Sequence, residues 1–392
     1  MHKVSAISRF SHTIFITVTL LYWMTLYIYV PILTPYLDSQ GISYWLMGVV
    51  LGSYGFMQVF GRLPLGIYSD KLQRRRPFVV LGLATGALSC LLFTMGEHWG
   101  WSLAARAVSG ISASSWVAFT VLYASYYLKN NATRAMGQIS TMTVCGQLIG
   151  MGLSGWLAEE WGWISVFYTG VVIGLIGSAA AFFVHEAAPD LTRAPIQAKD
   201  LSSVIRTPIL LKVSVLSILA HCVLFITMFG FTPAQAVMMG ASGSDLSLLV
   251  FAFMIPHAAA AYATGRWIVP RIGAWNAVMM GFVGSSICTV AIALLPSLHW
   301  MIVTQALNGF AQGMHLPLLL GLAIQRVDKD KRATAMGFYQ SVYSVGMFGG
   351  PFLAGWMNEA GGLASGFYLG GAFGLTAALL TLYWSQREGG LR

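Results

Sequence analysis

The sequence predicts an all-α integral membrane protein with twelve transmembrane helices in two pseudo-symmetric six-helix halves. Three observations carry this. Of the 392 residues, 57% are hydrophobic and 9% charged, whereas a soluble domain carries about 25% charged residues. The apolar residues fall into segments near the roughly 20-residue length that crosses a ~30 Å hydrocarbon core. The stretch 335–370 repeats 135–170 at an offset of 200, with no gap and 14 of 36 positions identical.

Hydropathy places the helices at 12–37, 45–68, 78–95, 100–127, 135–157, 163–184, 209–237, 245–265, 274–295, 299–323, 333–357 and 364–385. Trp45, Trp99, Trp101, Trp163, Trp300 and Trp384 fall near helix ends, where amphipathic rings sit at the headgroup level. Lys3 and Arg9 before an apolar run imitate a signal peptide. That run extends from about Thr13 to Leu37 with no small-residue cleavage site, so a retained first helix is expected. Cys90, Cys145, Cys222 and Cys288 each stand alone in apolar runs and read as small buried hydrophobes.

The basic residues set the orientation. Loops after the even-numbered helices, with the two termini, hold 20 of the 22 Lys and Arg residues when Lys212, in the first turn of helix 7, is counted with the loop before it; loops after the odd-numbered helices hold none. The positive-inside rule then puts both termini in the cytoplasm, with the chain in the plasma membrane. The formal charge of +9 and pI near 9.4 are thereby accounted for by topology, and nucleic-acid binding is excluded. The two remaining arginines, Arg62 and Arg106, fall inside helices.

Residues 185–208 are the one long polar stretch, with three prolines and mixed charge. They read as a cytoplasmic linker between an N-terminal half, 1–184, and a C-terminal half, 209–392. The repeat pairs Gly146 with Gly346, Gly150 with Gly350, Gly155 with Gly355, Trp156 with Trp356 and Glu159 with Glu359. Helices 5 and 6 thus match helices 11 and 12. An even number of helices separates the copies, so the duplication is parallel.

The loop after helix 2 reads Gly66-Ile-Tyr-Ser-Asp70-Lys71-Leu-Gln-Arg74-Arg75-Arg76. Here the chain resembles the major facilitator superfamily, whose signature at this place is roughly G-x-x-x-D-R-x-G-R-R; Gln73 stands for its second glycine. Gly66 permits close helix approach. Asp70 can accept from a helix N-terminus and pair with arginines across a domain interface. Gly66, Asp70, Lys71, Arg74 and Arg75 are therefore expected to latch the outward-facing state, a plain positive-inside cluster being the alternative. The counterpart in the second half, Gly265-Arg266-Trp-Ile-Val-Pro270-Arg271-Ile-Gly273, has Pro270 where an acid is expected, so that latch reads as degenerate.

The resemblance implies a secondary transporter working by alternating access, with the solute between the halves near mid-membrane. Arg106-Ala-Val-Ser-Gly110 resembles the family's R-x-x-x-G motif, associated with proton-coupled members. Ser102, Arg106, Ser109, Ala113, Trp116 and Thr120 form one helical stripe, which aims Arg106 at a cavity; bonding to backbone carbonyls is the alternative. Arg62, two turns from the cytoplasmic end, is expected to snorkel there. Gly146, Gly150 and Gly155 resemble the antiporter motif with Met151 in place of its proline. The proline-bearing form is Gly346, Gly350, Pro351 and Gly355. These residues are expected to pack helices tightly and to hinge them.

All 13 Asp and Glu residues fall in loops or at helix ends. If protons are the coupling ion, histidine is the remaining carrier: His221, His257 and His315 lie near mid-membrane. Ordinary interhelical hydrogen bonding is the alternative for each. His315 shares a face with Asn308 and Gln312, and His221 one with Phe225 and Phe229. Helices 1, 4, 7 and 10 line the cavity in this family, which implies solute contacts at Tyr27, Trp116, His221, Phe225, Asn308, Gln312 and His315. Tyr22, Trp23 and Tyr29 add aromatic surface.

The expected function is export of a small, partly hydrophobic solute. The rivals are exchange or import of an organic anion on Arg106, and lipid movement by the same fold. Expected partners are the solute, the bilayer and, as a candidate, protons; the chain is read as a monomer. No enzyme, cofactor or metal site is expected. Gly150-Met-Gly152-Leu-Ser-Gly155 imitates a dinucleotide fingerprint but lies inside a membrane helix without a βαβ unit. Asn131-Ala-Thr133 imitates a glycosylation site on the cytoplasmic side.

Overall fold

A computed structural model of the chain describes residues 8–72, 74–127, 132–186, 205–325, 327 and 332–387. They form twelve helical spans: α1 Arg9–Ser39, α2 Tyr44–Leu72, α3 Arg76–Leu92, α4 Trp99–Ser125, α5 Ala132–Trp161, α6 Trp163–Ala181, α7 Pro208–Met238, α8 Gly243–Ile272, α9 Ala274–Ile292, α10 Leu298–Gln325, α11 Arg332–Gly361 and α12 Leu363–Arg387. Among the described residues there is no strand. Eight spans are long and apolar enough to cross a bilayer on composition alone. Of the others, α3 is shorter, and α10 carries internal polar residues such as Gln305, Asn308 and Gln312.

Most of the linker expected at 185–208 lies outside the described residues. Its first two residues do not. The Tyr126 hydroxyl donates to the His185 carbonyl at 2.6 Å. The Glu186 carboxylate accepts the Arg75 and Arg76 N–H groups at 2.6 and 2.7 Å. Glu186 thus caps the positive N-terminal end of α3, where a carboxylate is most favourable.

The repeat is visible in the turns. Gly162 and Gly362 join α5 to α6 and α11 to α12 with φ of +79° and +73°, a left-handed conformation that glycine adopts without strain. Helices α1 and α7 break at matching depths. In α1 a tighter turn spans Val30–Ile32 around Pro31, which brings no backbone donor. In α7 a wide turn spans Thr227–Phe231 with Gly230 outside helical geometry. The two breaks meet: the Thr34 hydroxyl donates to the Gly230 carbonyl at 2.9 Å, and the Tyr27 and Phe229 rings meet edge to face at 5.5 Å.

The packed core explains which side is shut. One hydrophobic cluster runs through the first six helices and continues into the last six through Leu224–Phe231, Leu246, Val250, Phe253, Met347 and Ala354. All of these lie toward the membrane face remote from the termini, called here the far side. A second cluster, with Leu210, Val213, Trp275, Phe282, Leu319 and Tyr339, stays at the terminus side of the last six helices. The molecule is therefore sealed on the far side.

Small residues and two acids make that seal. A Cβ on Gly155 of α5 would meet the Gly243 carbonyl of α8 at 1.7 Å. A Cβ on its repeat mate Gly355 of α11 would meet the Gly48 Cα of α2 at 2.7 Å. The backbones touch because no side chain intervenes. One turn beyond, the Glu159 carboxylate accepts from the Ser244 N–H at 2.7 Å and the Ser244 hydroxyl at 2.6 Å. Its repeat mate Glu359 accepts from the Trp45 N–H at 3.1 Å. Each acid ends a helix of one half and caps the first turn of a helix in the other. The other glycines of the ladders pack within their own half: Gly146 and Gly150 on α1, Gly346 and Gly350 on α7.

Candidate functional site

Two arginines occupy the middle of the bundle. Arg106 of α4 is 2% exposed. Its guanidinium lies 4.3 Å over the Tyr54 ring and 5.7 Å from the Tyr29 ring centre. Nη1 donates to the Tyr29 hydroxyl at 3.3 Å, and Nε meets no partner. Aromatic faces attract a cation but leave most of its donors free. The stripe expected on α4 is present: Ser102, Ser109 and Ala113 are buried with Arg106, and Trp116 and Thr120 are half-buried beyond a break at Ser115.

Arg62 corrects an expectation. It does not snorkel to the terminus side but is 6% exposed and held in place. Nε donates to the Gln58 side chain at 3.0 Å, and Nη2 donates to the same oxygen. Nη1 crosses to α11, donating to Gln340 at 2.9 Å and to the Tyr343 hydroxyl at 2.6 Å. Polar acceptors from the opposite half make burial cheaper than the reach to the surface. The single sequence shows Arg62 and Gln58 one turn apart, but not that α11 closes over them.

Among the described residues neither arginine has a carboxylate partner, and every Asp and Glu of the sequence lies in a loop or at a helix end. The centre is therefore cationic. Aromatic rings surround it. Trp116 stacks on Tyr22 at 6.0 Å and meets Trp23 edge-on at 4.8 Å. Tyr54 stacks on Phe225 of α7 at 6.0 Å, and Phe225 meets Phe229 at 5.4 Å. Phe225 thus packs on Tyr54 beside Arg106, Tyr27 joins through Phe229, and Trp116 joins through Trp23 and Tyr27; Tyr29 was expected among the aromatics, whereas Tyr54 is a member that the helix stripes missed.

The histidines separate. His221 joins the Arg62 group: its ring lies parallel to Tyr343, centroids 4.1 Å apart, and Nδ1 donates to the Ser217 carbonyl at 2.7 Å. His315 turns away from the seam and stacks on Phe282 of α9 at 4.2 Å. Asn308 and Gln312 are fully buried with it, and Gln312 donates to Asn308 at 3.1 Å. The expected stripe on α10 exists, but α9 covers His315. His257 of α8 stacks on Phe253 at 5.8 Å.

In the expected latch, Gly66, Asp70 and Lys71 end α2, and Lys71 and Arg74 are exposed. The Asp70 side chain lies outside the described residues. Arg75 donates to the Ser69 hydroxyl, and the loop is anchored to its own half by Glu186. Of the cysteines, Cys90 and Cys222 are buried as expected, whereas Cys145 is exposed and Cys288 half-buried. Among the described residues no group of His, Cys, Asp and Glu has the makings of a metal site.

Paired helical breaks, a repeat-related seal and a charged centre define a polytopic membrane transporter. The family model described as Major Facilitator Superfamily matches residues 15–302 and 218–390. The chain belongs to that superfamily, whose members are transporters and not enzymes, and it is a multi-pass membrane protein. It is 26% identical over 397 residues to the inner membrane transport protein YajR of Escherichia coli K12, across 95% of this chain and 82% of that one. Its fold matches a crystal structure of the nucleoside transporter NupG (D323A mutant) with a TM-score of 0.78 at 14% identity, covering 94% of this chain and 99% of that one. It also matches the human organic anion transporter MFSD10 (TETRAN) with a TM-score of 0.68 at 19% identity, covering 94% and 98%.

Proposed function

We propose that the protein is a secondary transporter that exports a small, partly hydrophobic organic anion by alternating access. The observation that carries the charge assignment is the pair of buried guanidinium groups, Arg62 and Arg106, whose partners are all neutral. An arginine at mid-helix costs about 2.5–3.5 kcal/mol to place in a bilayer. A site that keeps two of them without a counter-charge attracts an anion, and a planar carboxylate or phosphate suits the guanidinium fork. Trp116, Tyr27, Tyr54 and Phe225 supply aromatic surface for the apolar part of the same solute. This departs from the sequence-based preference for a solute defined by hydrophobicity alone and adopts its anion rival. One fold neighbour is itself named an organic anion transporter, so the class is one this fold carries.

The cycle follows from the seal. With the far side shut, the solute enters from the terminus side, which the basic loops assign to the cytoplasm. Rocking then parts Gly155 from Gly243 and Gly355 from Gly48, and Glu159 and Glu359 release their helix ends. Asp70, Lys71, Arg74 and Arg75 latch the opposite state. The glycine–proline ladder on α11 supports the export direction, with the chain acting as a monomer. Protons are the coupling ion of this reading, carried by His221, His257 or His315.

The test is a panel of aromatic carboxylates, neutral aromatics and cationic dyes, read by thermal stabilisation and by counterflow in proteoliposomes. Stabilisation and counterflow by the carboxylates supports the anion reading. Tight binding of cationic dyes alone overturns it.

A further inference from the structure

Arg62 touches both halves, and every acceptor it meets in either half is neutral. Its guanidinium is engaged on two edges. The Nε–Nη2 edge is taken by Gln58 of its own helix. The Nη1 end is taken by Gln340 and Tyr343 of α11. Both α11 acceptors are neutral, whereas an anion would add an opposite full charge and a pair of acceptor oxygens that fits the guanidinium fork. An anion arriving at Arg62 competes with those two acceptors.

The site lies partway along the longest seam between the halves. Toward the far side, Gly48, Gly52 and Gly55 of α2 lie against Pro351, Phe348 and Met347 of α11. Toward the terminus side, Leu63 approaches Gly337. Tyr343 is also tied to a third element. Its ring is covered face to face by His221, which is fixed to the Ser217 carbonyl of α7. Four residues further on, Phe225 packs against Tyr54 of α2, and beyond it lies the α7 break that meets Thr34. A change at Tyr343 therefore reaches the far-side seal through packed side chains and one helix.

We infer that Gln340 and Tyr343 occupy Arg62 as internal stand-ins for the solute anion, so that anion binding displaces them and releases α11 from α2. They are positioning residues: they act on the solute through Arg62, and their role is to make the conformational equilibrium depend on it. The inference rests on the anion reading above and adds a coupling step to it. Beside the site lie Gln58 on Arg62's own helix and the titratable His221 on α7, which stacks on Tyr343.

The experiment uses the full chain in nanodiscs with spin labels at Trp161→Cys and Leu294→Cys, both exposed at the far side. The label-to-label distance is measured with and without 2-naphthoate, and 2-naphthoate affinity is measured in parallel. In the otherwise unaltered chain, 2-naphthoate binds and lengthens the distance. In Tyr343→Phe, which keeps the ring stack, and in Gln340→Leu, affinity rises about fivefold, the worth of one net hydrogen bond. The distance distribution in these variants is already shifted without ligand and responds little to it. Variants that bind 2-naphthoate and respond as the parent does overturn the inference while leaving the anion reading intact. A parent chain that binds no 2-naphthoate overturns both.

Discussion

Replacing Gly155 with Ala should unlock the far side. A Cβ there would sit 1.7 Å from the Gly243 carbonyl and 2.6 Å from Ser247 Oγ, closer than any real contact. The same backbone approach carries two hydrogen bonds: Ser247 Oγ donates to the Gly152 carbonyl at 2.8 Å and accepts from the Gly155 N–H at 3.2 Å. Overpacking a tight interface costs about 1–3 kcal/mol. Applied only to the sealed state, that moves the open-to-sealed ratio about 5- to 150-fold. Gly137→Ala on the same helix is the control, because a Cβ there meets nothing within 4 Å. The assay is reaction of a far-side cysteine with an impermeant maleimide. Labelling should quicken by that factor in Gly155→Ala and stay unchanged in Gly137→Ala. Equal labelling in the parent and Gly155→Ala would refute the reasoning that this approach holds the seal.

Other outcomes follow from the same geometry. The Ser244 hydrogen bonds hold the Glu159 carboxyl below its ordinary value of 4.5, so its part of the seal is complete above that value and weakens as pH falls through the lowered one. Glu159→Gln with Glu359→Gln should raise far-side labelling at pH 7 and flatten its rise in acid; a parent profile flat to pH 3 contradicts this. Asp70→Asn should slow cycling in proteoliposomes several-fold while leaving expression nearly intact, and a normal rate removes the latch. Replacing His221, His257 and His315 together should abolish any dependence of transport on a pH gradient, and persistence of that dependence excludes histidine coupling.

Much of the architecture is legible in the chain because lipid imposes it. Each crossing must satisfy its own backbone hydrogen bonds, so helices appear as apolar segments of fixed length, and twelve were expected where twelve occur. The helix ends moved by a few residues: α5 begins at Ala132 rather than 135 and ends at Trp161 rather than 157. The breaks at Val30–Ile32 and Thr227–Phe231 went unread, although Pro31 and Gly230 mark them, because hydropathy does not register a change of turn.

The site was legible by depth but not by direction. Arg106 lay on a polar stripe and is buried at the centre. Arg62 was sent to the surface because its acceptors, Gln340 and Tyr343, come from a helix 278 or more residues later. His315 shared a stripe with Asn308 and Gln312, but a wheel cannot say that α9 covers it. Glu159 and Glu359 stood in plain view as repeat mates, yet their partners, Ser244 and Trp45, belong to helix starts that only folding brings near.

The most direct measurement compares 2-naphthoate with its uncharged amide, by calorimetry, on the parent chain and on Arg106→Gln. The parent should bind the carboxylate at least tenfold more tightly than the amide. In Arg106→Gln the carboxylate should weaken most and the preference should shrink toward unity. Equal affinity for the two ligands in the parent, or an undiminished preference in Arg106→Gln, would contradict the claim that the buried guanidinium groups select an anion.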